Sequence, residues 1–188
     1  MILSGTVRFN LDPFNECSER KLKEAVKLAQ LEHKLGKKNE ETGEITLDLD
    51  GEVADGGSNF SHGERQLIAL ARAILRKPES GYNGILLLDE ATSSLDYELD
   101  RRIQDIIRNQ VFRSSTIITI AHRIQTIADY DYIAVLDEGR LVEYGRPQVL
   151  LKDSTSHFFK LASNASAGSS TLGLSGKGSN GNLAGMAK

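Results

Sequence analysis

Leu22, Ala25, Val26 and Ala29 recur three and four residues apart. They predict a helix that opens after Ser18, runs to about Leu35 and ends at Gly36. Residues 36–57 are polar and glycine-rich, with one short strand candidate, Ile45-Thr46-Leu47. Helical spacing returns with Leu67, Leu70, Ala71, Ile74 and Leu75, so a second helix is expected from Ser61 to about Lys77, stopped by Pro78. Ile85-Leu86-Leu87-Leu88 is an unbroken aliphatic run, the pattern of a strand buried on both faces of a parallel sheet. A polar helix is expected from Tyr97 to Gln110, then a strand from Thr116 to Ile120. Ile133–Leu136 and Leu141–Tyr144 flank Asp137-Glu138-Gly139-Arg140, a hairpin signature, and Gly145-Arg146-Pro147 breaks the chain before a closing helical stretch. Strand, helix, strand and hairpin in that order predict an α/β domain with a mostly parallel sheet.

Composition narrows the classes. A length of 188 residues suits one domain. Lys and Arg number 23 against 26 Asp and Glu, a net charge of −3 that argues against a basic nucleic-acid binder or a polybasic membrane patch. The single cysteine, Cys17, cannot form an internal disulfide, so a reducing compartment is expected. No apolar run approaches the roughly 20 residues needed to cross a bilayer, and Met1–Thr6 lacks the pattern of a signal peptide. From Asn164 to Lys188 there are 6 Gly, 5 Ser and no aromatic residue, so residues 164–188 are expected to be a disordered tail and residues 1–163 the folded part. Asn164-Ala165-Ser166 has the form of a glycosylation acceptor but reads as a chance match in a cytosolic tail.

The candidate chemistry begins where the aliphatic run ends, in Asp89-Glu90. Acidic side chains at the carboxyl end of a buried parallel strand enter the crevice where such sheets bind ligands. An Asp there can hold Mg²⁺, and an adjacent Glu can polarise a water against a phosphate. Taken alone, the same six residues read equally well as a strand ending in a solvated acidic turn.

The neighbouring segments carry more. Upstream lies Asn59-Phe60-Ser61-His62-Gly63-Glu64-Arg65-Gln66. Ala91-Thr92-Ser93-Ser94-Leu95-Asp96 follows the acidic pair, and Ala121-His122-Arg123 follows the second strand run. With these residues the chain closely resembles the nucleotide-binding domain of ABC transporters. "FSHGERQ" resembles the signature motif, "ILLLDE" Walker B, "SSLD" the D-loop, and His122 the H-loop. "LSGTVRFNLDPFNE", "GGSNFS" and "TIITIAHRIQTIADYDYIAVLDEGRLVEYG" narrow the resemblance to the C subfamily, the multidrug-resistance-associated and fungal oligomycin-type exporters, and to the C-terminal part of their second nucleotide-binding domain.

The resemblance implies a P-loop NTPase-like fold with a helical signature subdomain, and ATP and Mg²⁺ as ligands. It implies that Asp89 helps hold Mg²⁺, that Glu90 orients the attacking water, and that His122 contacts the γ-phosphate. Ser61 and Gly63 would grip the γ-phosphate of ATP bound to an opposite nucleotide-binding domain in a head-to-tail sandwich, with Asp96 at the same seam. The implied partners are that second domain and the transmembrane domains of the same transporter, with no nucleic acid. The implied place is a membrane, with this domain on its cytoplasmic face.

The sequence also departs from the family pattern. No G-x-x-x-x-G-K-[ST] precedes the signature, so the phosphate-loop part is missing and the chain reads as the C-terminal piece of a domain, inactive by itself. Gly173-Leu174-Ser175-Gly176-Lys177-Gly178 has the wrong spacing to replace it. His62 and Glu64 stand where the family usually has a small residue and Gln. Ser61-His62-Gly63-Glu64 is also S-x-x-E, a capping box, which would turn the Glu64 carboxylate onto the helix and away from a ligand. Asp48-Leu49-Asp50-Gly51 lacks the spacing of a Ca²⁺ loop and reads as a solvated loop. Two rival functions remain: a soluble ABC ATPase acting on nucleic acid, and a non-catalytic truncated product.

Overall fold

The helices of residues 7–11, 19–28, 62–75 and 97–105 each start at a polar side chain that takes up a backbone N–H, and the apolar stripes then decide what packs on what. The computed structural model describes residues 2–38, 45–77, 84–120 and 123–169. It divides into two compact units, Met1–Thr126 and Ile127–Lys188.

In the first unit, β1 (Gly5–Thr6) leads into α1 (Val7–Leu11), capped by the Thr6 hydroxyl, which accepts from Phe9 N–H. Ser18 caps α2 (Glu19–Leu28) as expected. The single long helix expected to reach Leu35 is instead split. Gln30 adopts a left-handed φ of 58°, Leu31 N–H donates to Val26 O at 3.0 Å, and Gln30 N–H donates to Lys27 O at 2.9 Å. This is a Schellman stop with Gln in the place usually held by Gly, sealed by the apolar contact pair Val26 and Leu31, both fully buried. A single turn, α3 (Glu32–Leu35), follows. Gly36 then opens a strand, β2 (Gly36–Lys38), which pairs antiparallel with β3 (Ile45–Leu47). β4 (Glu52–Val53) pairs antiparallel with β1. The acidic loop between β3 and β4 is engaged by cations: Lys37 Nζ lies 2.6 Å from Asp48 Oδ2, and Arg8 donates to both oxygens of Asp50 at 2.8 and 3.1 Å.

The long α4 (His62–Leu75) runs as predicted from its Ser61 cap. Leu67, Ile68, Leu70 and Ala71 pack into the core with Leu22, Val26 and Val7. A buried Asn10 fixes the chain's first residues on α4. Its amide donates to Leu3 O at 2.7 Å and Thr6 O at 3.1 Å, and its oxygen accepts from Leu3 N–H and from Arg72 Nη2, each at 2.9 Å. Pro78, the expected stop, lies outside the described residues.

β5 (Ile85–Asp89) pairs parallel with β6 (Thr116–Ile120), in register from Ile85↔Thr116 to Asp89↔Ile120. Between them, α5 (Tyr97–Asp105) passes into a π-helical turn, Ile106–Val111, in place of the unbroken helix to about Gln110 that the sequence predicts. Lys77 Nζ donates to Val111 O, tying this turn to the end of α4. Burial on both faces of β5 is not what the structure shows. Leu88 is buried and Leu86 half-buried, while Ile85 and Leu87 are each 70% exposed, and Ile118 and Ile120 on β6 share the open face. An aliphatic run thus has only one covered face here, because residues 1–126 place helices against one side of the pair. α6 (Ile124–Ile127) follows.

In the second unit, β7 (Ile133–Asp137) and β8 (Arg140–Gly145) form the expected hairpin. Glu138 and Gly139, with φ of 45° and 76°, make a two-residue turn that favours Gly. α7 (Pro147–Leu150) begins on its proline, and α8 spans His157–Ser169. The Glu143 carboxylate accepts from Ser156 Oγ at 2.9 Å and from the N–H groups of His157 and Phe158 at 3.2 and 2.8 Å, so it caps α8. α8 runs six residues beyond the boundary expected at 163, because a cap and the buried Phe158 start a helix that the composition of residues 164–169 does not stop. The remaining tail, residues 170–188, lies outside the described residues. Parallel pairing is confined to β5 and β6 among the described residues, and the other three strand pairs are antiparallel.

The open face of the β5–β6 pair predicts self-association of the 188-residue polypeptide in isolation, since exposed aliphatic patches drive contact. Leu87→Lys combined with Ile118→Thr should raise the monomer fraction in sedimentation, at a stability change within about 0.5 kcal/mol, because the sites lack core partners. An unchanged monomer fraction would show that association uses another surface.

Candidate active site

The parallel pair delivers Asp89 and Glu90 to one edge, both exposed. Glu90 N–H donates to Ile120 O at 3.1 Å, continuing the ladder one residue past β5. The chain then kinks. Glu90 has a left-handed φ of 47°, a conformation uncommon for a residue with a side chain and sustained only where the surroundings hold it. Ser93 N–H donates back to Glu90 O at 3.0 Å, and Leu95 N–H to Thr92 O at 3.1 Å, so residues 90–96 form two linked turns. Leu95 is buried, and Asp96 Oδ1 accepts from Leu99 N–H at 3.0 Å to cap α5.

The start of α4 lies against these turns. Ser61 Oγ accepts from Glu64 N–H at 3.1 Å, and Glu64 Oε2 accepts from Ser61 N–H at 2.7 Å, which completes the capping box. Lys34 Nζ lies 3.8 Å and His33 Nε2 3.6 Å from the same carboxylate. Burial alone would push the Glu64 carboxyl up. The hydrogen bonds from Ser61 and the charges of Lys34 and His33 outweigh it and hold the group below the usual glutamate value. The N–H groups of His62 and Gly63 at this helix end have no acceptor among the described residues, which leaves two donors at the positive end of the helix dipole.

Contact between helix and turns is close. A Cβ on Gly63 would fall 2.9 Å from Leu95 Cδ2 and 3.2 Å from Ser94 O, so this position needs glycine for the approach itself. His62 Nδ1 and Ser94 Oγ are hydrogen-bonded at 2.6 Å. From the other side, Arg123 Nη2 donates to Leu95 O at 2.7 Å and Ser93 O at 3.3 Å, while its Nη1 reaches the buried Asp100 Oδ2 at 3.3 Å. Glu90, Thr92, Asp100, Gln104, Thr119 and Arg123 line a cleft of about 60 Å³. Nucleotide-sized pockets run from roughly 300 Å³ upward, so this cleft does not enclose one.

Of the residues singled out in the sequence, Asp89, Glu90, Ser61, Gly63 and Asp96 fall on two abutting segments, the end of β5 with its turns and the start of α4. His122 lies outside the described residues.

The ABC transporter family profile matches residues 4–93, which contain the start of α4, β5 and the first turn. Bile pigment transporter 1 of Saccharomyces cerevisiae is 48% identical over 167 residues, covering 84% of this chain and 10% of that protein. The human ATP-binding cassette sub-family C member 4 is 47% identical over 161 residues, covering 86% of this chain and 11% of its own length. The chain belongs to the ABC transporter family. A solved bacterial Atm1-family ABC exporter with ATP bound aligns at a TM-score of 0.70 and 31% identity, over 88% of this chain and 27% of that one. The P-loop NTPase-like α/β fold and the C-subfamily kinship are thereby established for this ABC transporter segment. It spans about a tenth of the length of the curated relatives it matches.

Two side chains of the site had no assigned role in the sequence. Gln66 and Arg123 both hydrogen-bond the 90–96 turns, Gln66 at Glu90 O and Arg123 at Leu95 O. Gln66 lies three and four residues beyond Gly63 and His62, on one helix face with them, and that spacing is the signal that could have found it.

The cap predicts a pH dependence. A carboxylate whose pKa falls on folding adds stability above its unfolded value near 4.5, and loses it as pH drops through the lower folded value. Glu64→Gln should therefore lower stability at pH 7 by about 0.3–1 kcal/mol, and the gap should close as pH falls from 4.5. Urea unfolding across pH measures it, and an unchanged midpoint at pH 7 would refute a stabilising carboxylate.

Proposed function

We propose that this ABC transporter segment supplies the signature, Walker B and D-loop part of an ATP-hydrolysing module in a membrane exporter, with the module on the cytoplasmic face. The observation that carries the reading is the juxtaposition of two exposed carboxylates, Asp89 and Glu90, with a helix start whose His62 and Gly63 N–H groups have no acceptor among the described residues. Among the described residues no helix is long and apolar enough to cross a membrane, so transmembrane domains are partners in this reading.

The residues fit the ligands the family implies. Asp89 offers an exposed carboxylate to Mg²⁺, which when bound would neutralise charge on phosphate oxygens. Glu90, one residue on and aimed by the kink, orients a water and takes up its proton as the water oxygen bonds to the γ-phosphorus and the bond to the ADP oxygen breaks, releasing ADP and phosphate. His122 is assigned the γ-phosphate contact by its motif. The start of α4 offers N–H donors and a positive dipole end to an anion. In a head-to-tail pair that anion is the γ-phosphate on the opposite domain, with Asp96 near the same seam. The open character of the site supports this arrangement, since a nucleotide there needs walls that the 60 Å³ cleft does not provide. The 188-residue sequence has no G-x-x-x-x-G-K-[ST] before the signature to cradle phosphates, so the polypeptide by itself does not turn over ATP.

In the purified full transporter, Glu90→Gln should lower ATP turnover by at least ~10² while leaving nucleotide binding intact, and Asp89→Asn should raise the Mg²⁺ requirement. The isolated polypeptide should stay at background. Near-normal turnover in Glu90→Gln would remove Glu90 from its role.

A ligand-facing acid at position 64 would repel phosphate by about 3 kcal/mol at ~5 Å and an effective dielectric of ~20. The cap turns it onto Ser61 instead. Glu64→Gln should accordingly change apparent ATP affinity less than about tenfold, or 1.4 kcal/mol. A larger gain in affinity would place the carboxylate at the nucleotide.

A further inference from the structure

We infer that Gln66 is a positioning residue for Glu90, setting the backbone of the catalytic turn from the signature helix; this rests on the reading of Glu90 given above. Its amide is used at both ends. Nε2 donates to Glu90 O at 3.0 Å and to Ser93 Oγ at 3.2 Å, and Oε1 accepts from Ser94 N–H at 3.2 Å. Glu90 is the residue that needs holding, since its φ of 47° is left-handed. Its N–H is held by Ile120 O and its carbonyl by Ser93 N–H, contacts that belong to the ladder and to the turn itself. The bond from Gln66 comes from a different element. It fixes the plane of the peptide leaving Glu90, and so the direction in which the Glu90 side chain departs.

The rest of the seam makes this a rigid connection. Four residues earlier His62 bonds Ser94, and three residues earlier Gly63 lets the helix backbone approach Ser94 and Leu95. Gln66 itself is half-buried and starts from a helix whose next residues, Leu67 and Ile68, are fixed in the core. A displacement of the first turn of α4 is therefore carried by the Gln66 amide to Glu90. On the proposed reading, the phosphate-facing end of one site is tied to the base of another.

The test uses the full transporter. Gln66→Leu removes all three hydrogen bonds at similar volume. Gln66→Glu keeps the acceptor for Ser94 N–H, and can accept from the Ser93 hydroxyl, but sets an oxygen against Glu90 O, which can only accept. Both should lower kcat for ATP about tenfold or more, with KM changed less than about threefold, since misplacement of a reacting group by an ångström costs up to ~10². In a Glu90→Gln background, Gln66→Leu should change the residual turnover less than about twofold, because the group it positions has gone. Turnover of Gln66→Glu or Gln66→Leu within twofold of the parent, with Glu90→Gln still inactive, overturns the inference and leaves the reading of Glu90 standing. Equal loss from Gln66→Leu with and without Glu90→Gln also overturns it, since that is a general structural role. Near-normal turnover in Glu90→Gln alone would instead defeat the underlying reading. If Gln66→Leu fails to fold, Gln66→Glu decides.

Discussion

The parallel pairing of β5 with β6 is the constraint on which the site depends. Its register ends at Asp89↔Ile120 and is extended by Glu90 N–H to Ile120 O. Parallel strands finish at the same edge, so the acidic pair and the chain that continues to Arg123 leave the sheet together. Arg123 can then reach Ser93 O and Leu95 O. A slip of one residue would turn Leu88 out of the core and Leu87 into it, and would carry Asp89 to the other face.

The kink at Glu90 follows from the same geometry. A residue that completes the ladder through its N–H and then reverses direction needs a left-handed conformation. That conformation persists because Gln66 of α4 and Arg123 both hydrogen-bond the turns. The brace has a steric condition at Gly63 and a polar one at Gln66. Glu64 sits between them and faces elsewhere, with its carboxylate on Ser61 N–H and near Lys34. One helix turn thus serves two purposes. Glu64 satisfies the helix end, while the N–H groups of His62 and Gly63 have no acceptor among the described residues.

Local rules were legible where they act within a few residues. The Ser18 and Ser61 caps, the S-x-x-E box, the Asp137–Arg140 turn and the periodicity of α4 could all be read directly, and the motif resemblance put Asp89, Glu90 and Asp96 forward as candidates. Errors arose where a distant contact decides. The Schellman stop at Gln30 lacks the usual glycine and exists because Leu31 is buried against the core. The π-helical turn after Asp105 is tied to α4 through Lys77 and Val111 O. α8 continues through polar, small residues that read as tail, because Glu143 on a neighbouring strand caps its start.

The sequence by itself determined which residue types stand at the candidate site and in what order, because motif spacing and capping are short-range properties of the chain. Tertiary structure alone decided what holds them. Gln66 and Arg123 act across 24 and 28 residues of chain, to Glu90 O and Leu95 O; helix spacing puts Gln66 on the face of His62 and Gly63, but no local pattern encodes which partner it meets at that separation. It also decided the burial of β5. Four aliphatics in a row specify a strand, but which faces are covered depends on what packs there, and among the described residues only one side of Ile85–Leu88 is covered.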